Sequence, residues 1–337
     1  MPDPPSLKTI YPAGPVPPFD KHNGTMRGWA EETTLDVEWA HAMAPGANIL
    51  VVATPVAETE GVVGFPQIVK AENSVIANDQ ADVISQSFGA TEPTFPSASS
   101  LMNLRSAYVN AQTAGITVLA SSGDAGSSGN MAHGGYYPIP TVGWPASDPL
   151  VTAVGGTHLQ LDANGDRTAP DEVWNESVDP EIAGKTPSPI AAGGGVSMFF
   201  DRPAYQDAVS STTGLRRGIP DVSLSAAVDG GVLVYLSIPG DPTGFFIFGG
   251  TSEASPLFSG IVAIAAQKAG HPLGLLNTAL YTLSSGIVDV TAGDNQATYV
   301  LHGTRITVPG YTAVAGYDLA SGLGTVDGSL LVNALVP

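Results

Sequence analysis

The chain has 337 residues, 43% hydrophobic and 13% charged, with 31 acidic against 12 basic side chains and a formal net charge of -19. Such a surface repels nucleic acid and anionic membranes, and it suits an acidic medium, where many carboxyls are protonated. The absence of cysteine rules out disulfides, thiolate zinc sites and cysteine nucleophiles. No run approaches the roughly 18 apolar residues of a membrane helix. The opening "MPDPPSLKTIYPAGPVPPFD" has no basic-then-apolar export signal, so either the protein stays inside the cell or its signal is missing from this chain. Residues 1–30 are rich in Pro and Gly and read as an ordered loop or arm. In "EETTLDVEWAHAMAPGANILVVA", apolar residues at helical spacing end at "APG", and "NILVVA" then suits a buried parallel strand. The alternation continues with "GFPQIVKAEN" as helix, "ADVISQSFG" as strand, "SASSLMNLRSAYVNAQTAG" as helix and "ITVLASSGD" as strand. From "YPIPTVGWPAS" to Arg217 the chain is rich in loops and short β segments. "RGIPDVSLSAA", "GVLVYLS" and "FFIFGGTS" return to strand character, and a long apolar helix follows. "LNTALYTL" reads as helix, and a glycine-rich segment closes the chain. Alternating helices and buried strands predict a single-domain α/β fold with a parallel sheet.

Open parallel sheets gather chemistry outside the carboxyl ends of their strands. Three places qualify. Glu32 and Asp36 lie four apart on a predicted helix, so both project from one face; such a pair alone also reads as a solvated acidic face. Asp124 follows an apolar strand among glycines, and alone it also reads as a turn residue. Ser252, at a strand-to-helix corner after Gly249 and Gly250, alone also reads as a helix cap. A nucleophilic serine needs a base, usually histidine. None of His22, His41, His133, His158, His271 and His302 stands in a "DHGTH"-type context, and no "DTG" accompanies them.

"GGTSEASPLFSGIVA" resembles the nucleophile segment of the sedolisin family, the serine-carboxyl peptidases. "ETTLDVEWAHAMAPGANI", "VISQSFGATE", "VLASSGDAGSSG", "WPASDPLVTAVGGT", "EVWN", "GGGVSMFF", "RGIPDVSLSA" and "GYDLASGLGTVDG" resemble further landmarks of that family, in its order, from about Thr34 to the C-terminus. The resemblance implies a subtilisin-like parallel sheet flanked by helices and an acid-acting serine endopeptidase. It makes Ser252 the nucleophile, Glu32 the general base, Asp36 a second acid hydrogen-bonded to Glu32, and Asp124 the acid that stabilises the oxyanion. Substrate is expected to lie extended along Ser87, Phe88 and Gly89; Phe88 stands where the family often has tryptophan. The resemblance also implies a Ca2+ site with carboxylates from Asp289 and Asp318 and carbonyls from Val290, Val314 and Gly316. Expected partners are polypeptide substrates, with no nucleic acid and no membrane. Secretion and a propeptide encoded upstream are family expectations. Residues 31–337 then correspond to the catalytic domain without its usual first apolar strand, which predicts an exposed sheet edge. A rival expectation is a truncated, inactive, calcium-stabilised protein that binds peptides.

Overall fold

Residues 2–337 are described by a computed structural model. Three short aliphatic runs form the centre of the sheet: β4 (Thr117–Ser121), β5 (Thr152–His158) and β6 (Val222–Ser225). Each is buried along all but its last residue. The strands are therefore covered on both faces and open only at their carboxyl ends. In β4, Val118 and Ala120 enter one core with Phe65, Tyr108 and Trp144, while Leu119 enters another with Phe258 and Ile261. That is the two-residue alternation of a strand packed between two helical layers.

Six strands follow the order β9–β10–β6–β5–β4–β3, with β3 at Val83–Gln86, β9 at Ile287–Val288 and β10 at Thr325–Val326. The pairs from β3 to β10 are parallel, with Val83 opposite Thr117, Leu119 opposite Thr152, Val222 opposite Val154 and Ser223 opposite Thr325. β9 is antiparallel to β10, and a bridge strand at Glu172–Val173 pairs antiparallel with the end of β5. This is the subtilisin-like α/β arrangement expected.

The segment read as an arm holds more structure than its composition suggested. Leu7–Ile10 forms β1, which pairs in parallel with β2 (Ile49–Val52), Leu7 opposite Ile49 and Ile10 opposite Val52. The helix carrying Glu32 also starts earlier than its apolar spacing showed. α1 spans Gly24–Met43, because the Asn23 side chain accepts a hydrogen bond from the Met26 amide and caps it. The β1–β2 ribbon is not hydrogen-bonded to β3 among the described residues, so one edge of β2 and one edge of β3 are each unpaired. All four residues of β2 and the first three of β3 stay partly exposed, unlike the central strands.

Other expectations needed revision. The single helix expected over 97–115 is two, α2 (Ala98–Met102) and α3 (Ser106–Ala114), broken at residues 103–105. The "FFIF" strand, β8 (Gly244–Phe248), pairs with β7 (Val232–Leu236) in an antiparallel hairpin outside the main sheet. Only Asn277–Leu280 of "LNTALYTL" is helical. The glycine-rich end holds a hairpin, 297–301 with 304–308, and a last helix, Gly328–Leu335.

Between these layers lies a buried ion pair from the "RGIPD" stretch. Arg217 Nη1 and Nη2 donate to Asp221 Oδ1 at 2.7 Å and Oδ2 at 2.6 Å, and neither side chain has any exposed surface. The Ala153 amide and the Tyr281 hydroxyl also donate to Asp221, at 2.7 and 2.9 Å. Removing one partner leaves a buried charge without compensation. Arg217→Met is therefore expected to cost about 3–5 kcal/mol in denaturant unfolding. Adding Asp221→Leu should recover much of that loss; a double variant no more stable than the single one would refute the account.

Candidate active site

The helix after Gly250, α4 (Thr251–Ala269), points its N-terminus at the carboxyl ends of β3 and β4. Gly250 is its N-cap, with φ +96, and gives no side-chain cap. Ser252 therefore sits inside the first turn and is not the cap its context also allowed. Gly250 is needed for space as well as for φ: an added Cβ would lie 2.8 Å from Asp124 Oδ2. Four residues after Ser252 comes Pro256, which has no N–H to give to the Ser252 carbonyl. The Ser87 hydroxyl lies between two acceptors: its one proton makes the short bond to Asp36 Oδ1 at 2.6 Å, and Ser252 O lies at 3.3 Å on the same hydroxyl. The proline thus leaves a free carbonyl beside the end of β3.

α1 lies against α4, with Gly260 at their close approach: a Cβ there would meet Met43 Cβ at 2.4 Å. This packing brings the Glu32 and Asp36 face of α1 to the start of α4. The Glu32 carboxyl lies close enough to the Ser252 side chain for that hydroxyl to act on its proton affinity. Its Oε1 is buried and has no partner among the described residues. Burial, and after it the charge of Asp36, pushes the Glu32 carboxyl well above the ordinary range; the Ser252 hydroxyl opposes the shift, and Asp124 and Glu58 add to it. Asp36 differs from expectation. Its Oδ1 accepts from the Ser87 hydroxyl at 2.6 Å, and it is coupled to Glu32 through charge rather than through a hydrogen bond between them. Burial pushes Asp36 up to about 7 against that Ser87 bond.

Asp124 is reached from β4 through Ser122 and Gly123. Its Oδ1 accepts from the Thr251 amide and hydroxyl, both at 2.7 Å, so it serves the first turn of α4 from another loop. Among the described residues nothing hydrogen-bonds Oδ2, which lies over Gly250. As a whole residue Asp124 is exposed in the open cleft, yet its carboxyl is crowded by the strand ends and α4. That crowding raises its pKa, against the two bonds from Thr251.

The cleft holds about 290 Å³ and is lined by Ser87, Phe88, Gly89, Asp124 and Ser252 together with Glu60. Of the expected substrate strand, Ser87 is buried and spends its hydroxyl on Asp36, so only Phe88 and Gly89 remain partly or fully open. Phe88 packs between Trp29 and Phe65, with ring centroids 6.0 and 6.4 Å away. No histidine lines the cleft. Sequence reasoning missed Thr251, which fixes Asp124, and Glu58 and Glu60, which sit in the loop between β2 and the next helix. Thr251 was legible as the neighbour of the serine; nothing in the loop's spacing marked its two acids.

The residues expected to hold Ca2+ also lie near one another. The Gly316 amide donates to Asp289 Oδ2 at 2.9 Å, and the Val314 amide donates to Asp318 Oδ2 at 3.0 Å. Neither carboxylate is in an ion pair among the described residues. No cluster of three His, Cys, Asp or Glu side chains occurs among them. A site built from two carboxylates and backbone carbonyls needs no such cluster, and its all-oxygen donors fit Ca2+.

A model of the subtilase family matches residues 18–280. Kumamolisin from Bacillus sp. (strain MN-32) is 35% identical over 323 residues, covering 93% of this chain and 52% of kumamolisin. Sedolisin from Pseudomonas sp. (strain 101) is 33% identical over 272 residues, covering 78% of this chain and 42% of sedolisin. The chain thus spans about half the length of the curated relatives it matches. The solved structure of Pseudomonas sedolisin, a serine-carboxyl proteinase complexed with pseudo-iodotyrostatin, superposes with a TM-score of 0.77 at 28% identity, over 97% of this chain and 84% of that one. With its sheet, its serine helix and its order of landmarks, the chain belongs to the subtilase family, in the sedolisin branch.

Proposed function

We propose that this chain hydrolyses peptide bonds in acid through a serine acyl-enzyme. The observation that supports the reading is that Glu32 and Asp36, from α1, and Asp124, from the loop after β4, lie about the first turn of α4, which carries Ser252: Asp124 accepts from Thr251, Asp36 from Ser87, and Glu32 lies by the Ser252 side chain. Glu32 takes the Ser252 proton as Oγ attacks the scissile carbonyl. Asp36, held by Ser87, keeps a second carboxyl beside Glu32 and raises its basicity. Asp124, protonated at Oδ2, donates to the developing oxyanion. Glu32 then deprotonates the water that releases the acyl group. Close carboxyls cannot all ionise together, so their protons leave in steps that belong to the group. The working form has Glu32 charged and Asp124 neutral. Falling pH protonates the first and rising pH ionises the second, so kcat/KM should trace a bell on the acid side. A maximum at neutral pH would sink the assignment. Substrate lies extended along Phe88 and Gly89, with the acyl carbonyl between Ser252 and Asp124. Secretion into an acidic medium is the setting this chemistry suits.

A second reading, a peptide-binding protein without turnover, draws on the unpaired edges of β2 and β3. A stoichiometric burst with an activated acyl substrate separates the two: a burst requires an acylating serine.

Asp289 and Asp318, with carbonyls of Val290, Val314 and Gly316, are proposed to hold Ca2+. The ion would tie the segment after β9 to the loop before β10, and its binding energy would add to folding energy. At a hundredfold excess over Kd a native-state ligand adds about 2.7 kcal/mol. Chelation should therefore lower Tm by roughly 4 °C, and Asp289→Asn should abolish that response. A Tm indifferent to calcium would remove the site.

A further inference from the structure

The loop of residues 53–64, between β2 and the helix Phe65–Ala77, brings one more carboxyl to the cleft and a second behind it. Glu60 is one of the groups lining the cavity that contains Ser252. Its Oε2 is fixed, accepting from the Thr91 amide at 2.7 Å and the Thr94 hydroxyl at 3.3 Å. Glu58 stands behind it. Its Oε2 is buried with no hydrogen-bond partner among the described residues; its charge is felt at Glu32, and burial followed by the charge of Glu60 pushes Glu58 itself up to about 7. The loop is built to hold this shape. The Thr59 amide bonds the Val63 carbonyl at 3.2 Å. Gly64, at φ +88, could not carry a Cβ, which would fall 2.1 Å from the Ala57 carbonyl oxygen.

No Lys, Arg or His lines the cleft, and neither Glu58 nor Glu60 forms an ion pair among the described residues. Every charge close to the reacting serine therefore has one sign. A carboxylate in a concave, partly dry wall acts more strongly than one in open water. No cation on the protein's side of the cleft balances it, so a positive charge arriving with the substrate would relieve the repulsion and gain a charge-assisted hydrogen bond. We infer that Glu60, backed by Glu58, is a specificity residue that receives a cationic group of the peptide substrate, an ammonium or guanidinium. The inference rests on the peptidase reading for the identity of the ligand. The cation comes either from a Lys or Arg side chain or from a free N-terminus.

The test uses matched fluorogenic peptides, Lys against norleucine and Arg against citrulline at each position, each with free and acetylated N-termini. They are assayed at the highest pH that sustains turnover, where the largest fraction of Glu60 is ionised. The wild-type protein should favour the charged member by about tenfold or more in kcat/KM. A preference that follows one side-chain position identifies a basic residue; one that follows the free amino group identifies the N-terminus. Glu60→Gln keeps an oxygen for the Thr91 amide and removes the charge. It should bring the ratio to within about twofold of unity, chiefly through KM, and Glu58→Gln should lower it less. The ratio, not the absolute rate, is the readout. An absent preference, or one that survives Glu60→Gln, overturns the proposal. If no peptide is cleaved, the peptidase reading fails instead, and anisotropy binding of the same pairs to Ser252→Ala protein judges the subsite: equal binding of charged and neutral members overturns it.

Discussion

Replacing Glu32 by Gln should lower kcat by about a thousandfold, within the 10²–10⁴ range of a lost general base. Gln has nearly the shape of Glu and can still meet the Ser252 hydroxyl, so packing should survive while proton transfer does not. Ser252→Ala should leave as little activity, and the double variant should be no worse than either single one, because base and nucleophile act as one unit. His41 offers a control: it lies on the same helix as Glu32, with Nε2 2.8 Å from the Pro2 carbonyl, outside the cleft. His41→Ala should retain near-full activity. The measurement is kcat and KM on a quenched peptide across acid pH, with folding checked by circular dichroism. A Glu32→Gln enzyme within tenfold of wild type would remove Glu32 as base. Loss of activity in a histidine variant would point to a different catalytic dyad.

The second large effect is on stability. Glu253 and Glu72 are each pushed up to about 8, and Asp36 to about 7, all chiefly by burial. Glu253 is fully buried beside the nucleophile, and neither of its oxygens makes a hydrogen bond of normal geometry among the described residues, although Ser225 and the Val232 amide lie near enough to oppose the shift. Glu72 Oε2 is similarly alone, with Tyr108 as a neighbour. These acids hold their protons in the folded state and release them near pH 4 when unfolded. Between those pH values the native state binds more protons, so stability falls as pH rises. The contribution is complete below about pH 4 and is lost as pH passes through 7 to 8. Each group accounts for a few kcal/mol on the scale of about 1.4 kcal/mol per pH unit. Self-repulsion of a chain with formal charge -19 acts in the same direction. Tm should drop by on the order of 10 °C between pH 5 and pH 8. Glu72→Gln, away from the cleft, removes one titrating group and should flatten that slope even if the amide costs stability overall. A Tm that rises toward pH 8 would contradict the burial of these acids.

Both predictions depend on features with different visibility in the sequence. The central strands were legible because burial on both faces writes itself as uninterrupted aliphatic runs such as "ITVLA", with Val118 and Leu119 serving opposite layers. The nucleophile turn was legible because Gly249 and Gly250 are the residues a crowded, positive-φ corner requires. Glu32 and Asp36 could be placed on one helix face by their four-residue spacing alone. Start points and partners were not legible. The cap at Asn23 lies outside any apolar pattern, and β8 has strand composition whether it joins the main sheet or a hairpin.

The sequence by itself determined the alternation of elements, the fold class and the identity of the four candidate catalytic residues, since each is a matter of local pattern or of motif. Only the tertiary structure decided what those residues touch: Asp36 bonds Ser87, Thr251 fixes Asp124, and Glu60 reaches the cleft from a loop with no signal of its own. The reason is range. Spacing records which way a side chain leaves its own backbone, whereas proton affinity depends on charges and dry surfaces contributed by segments up to two hundred residues away.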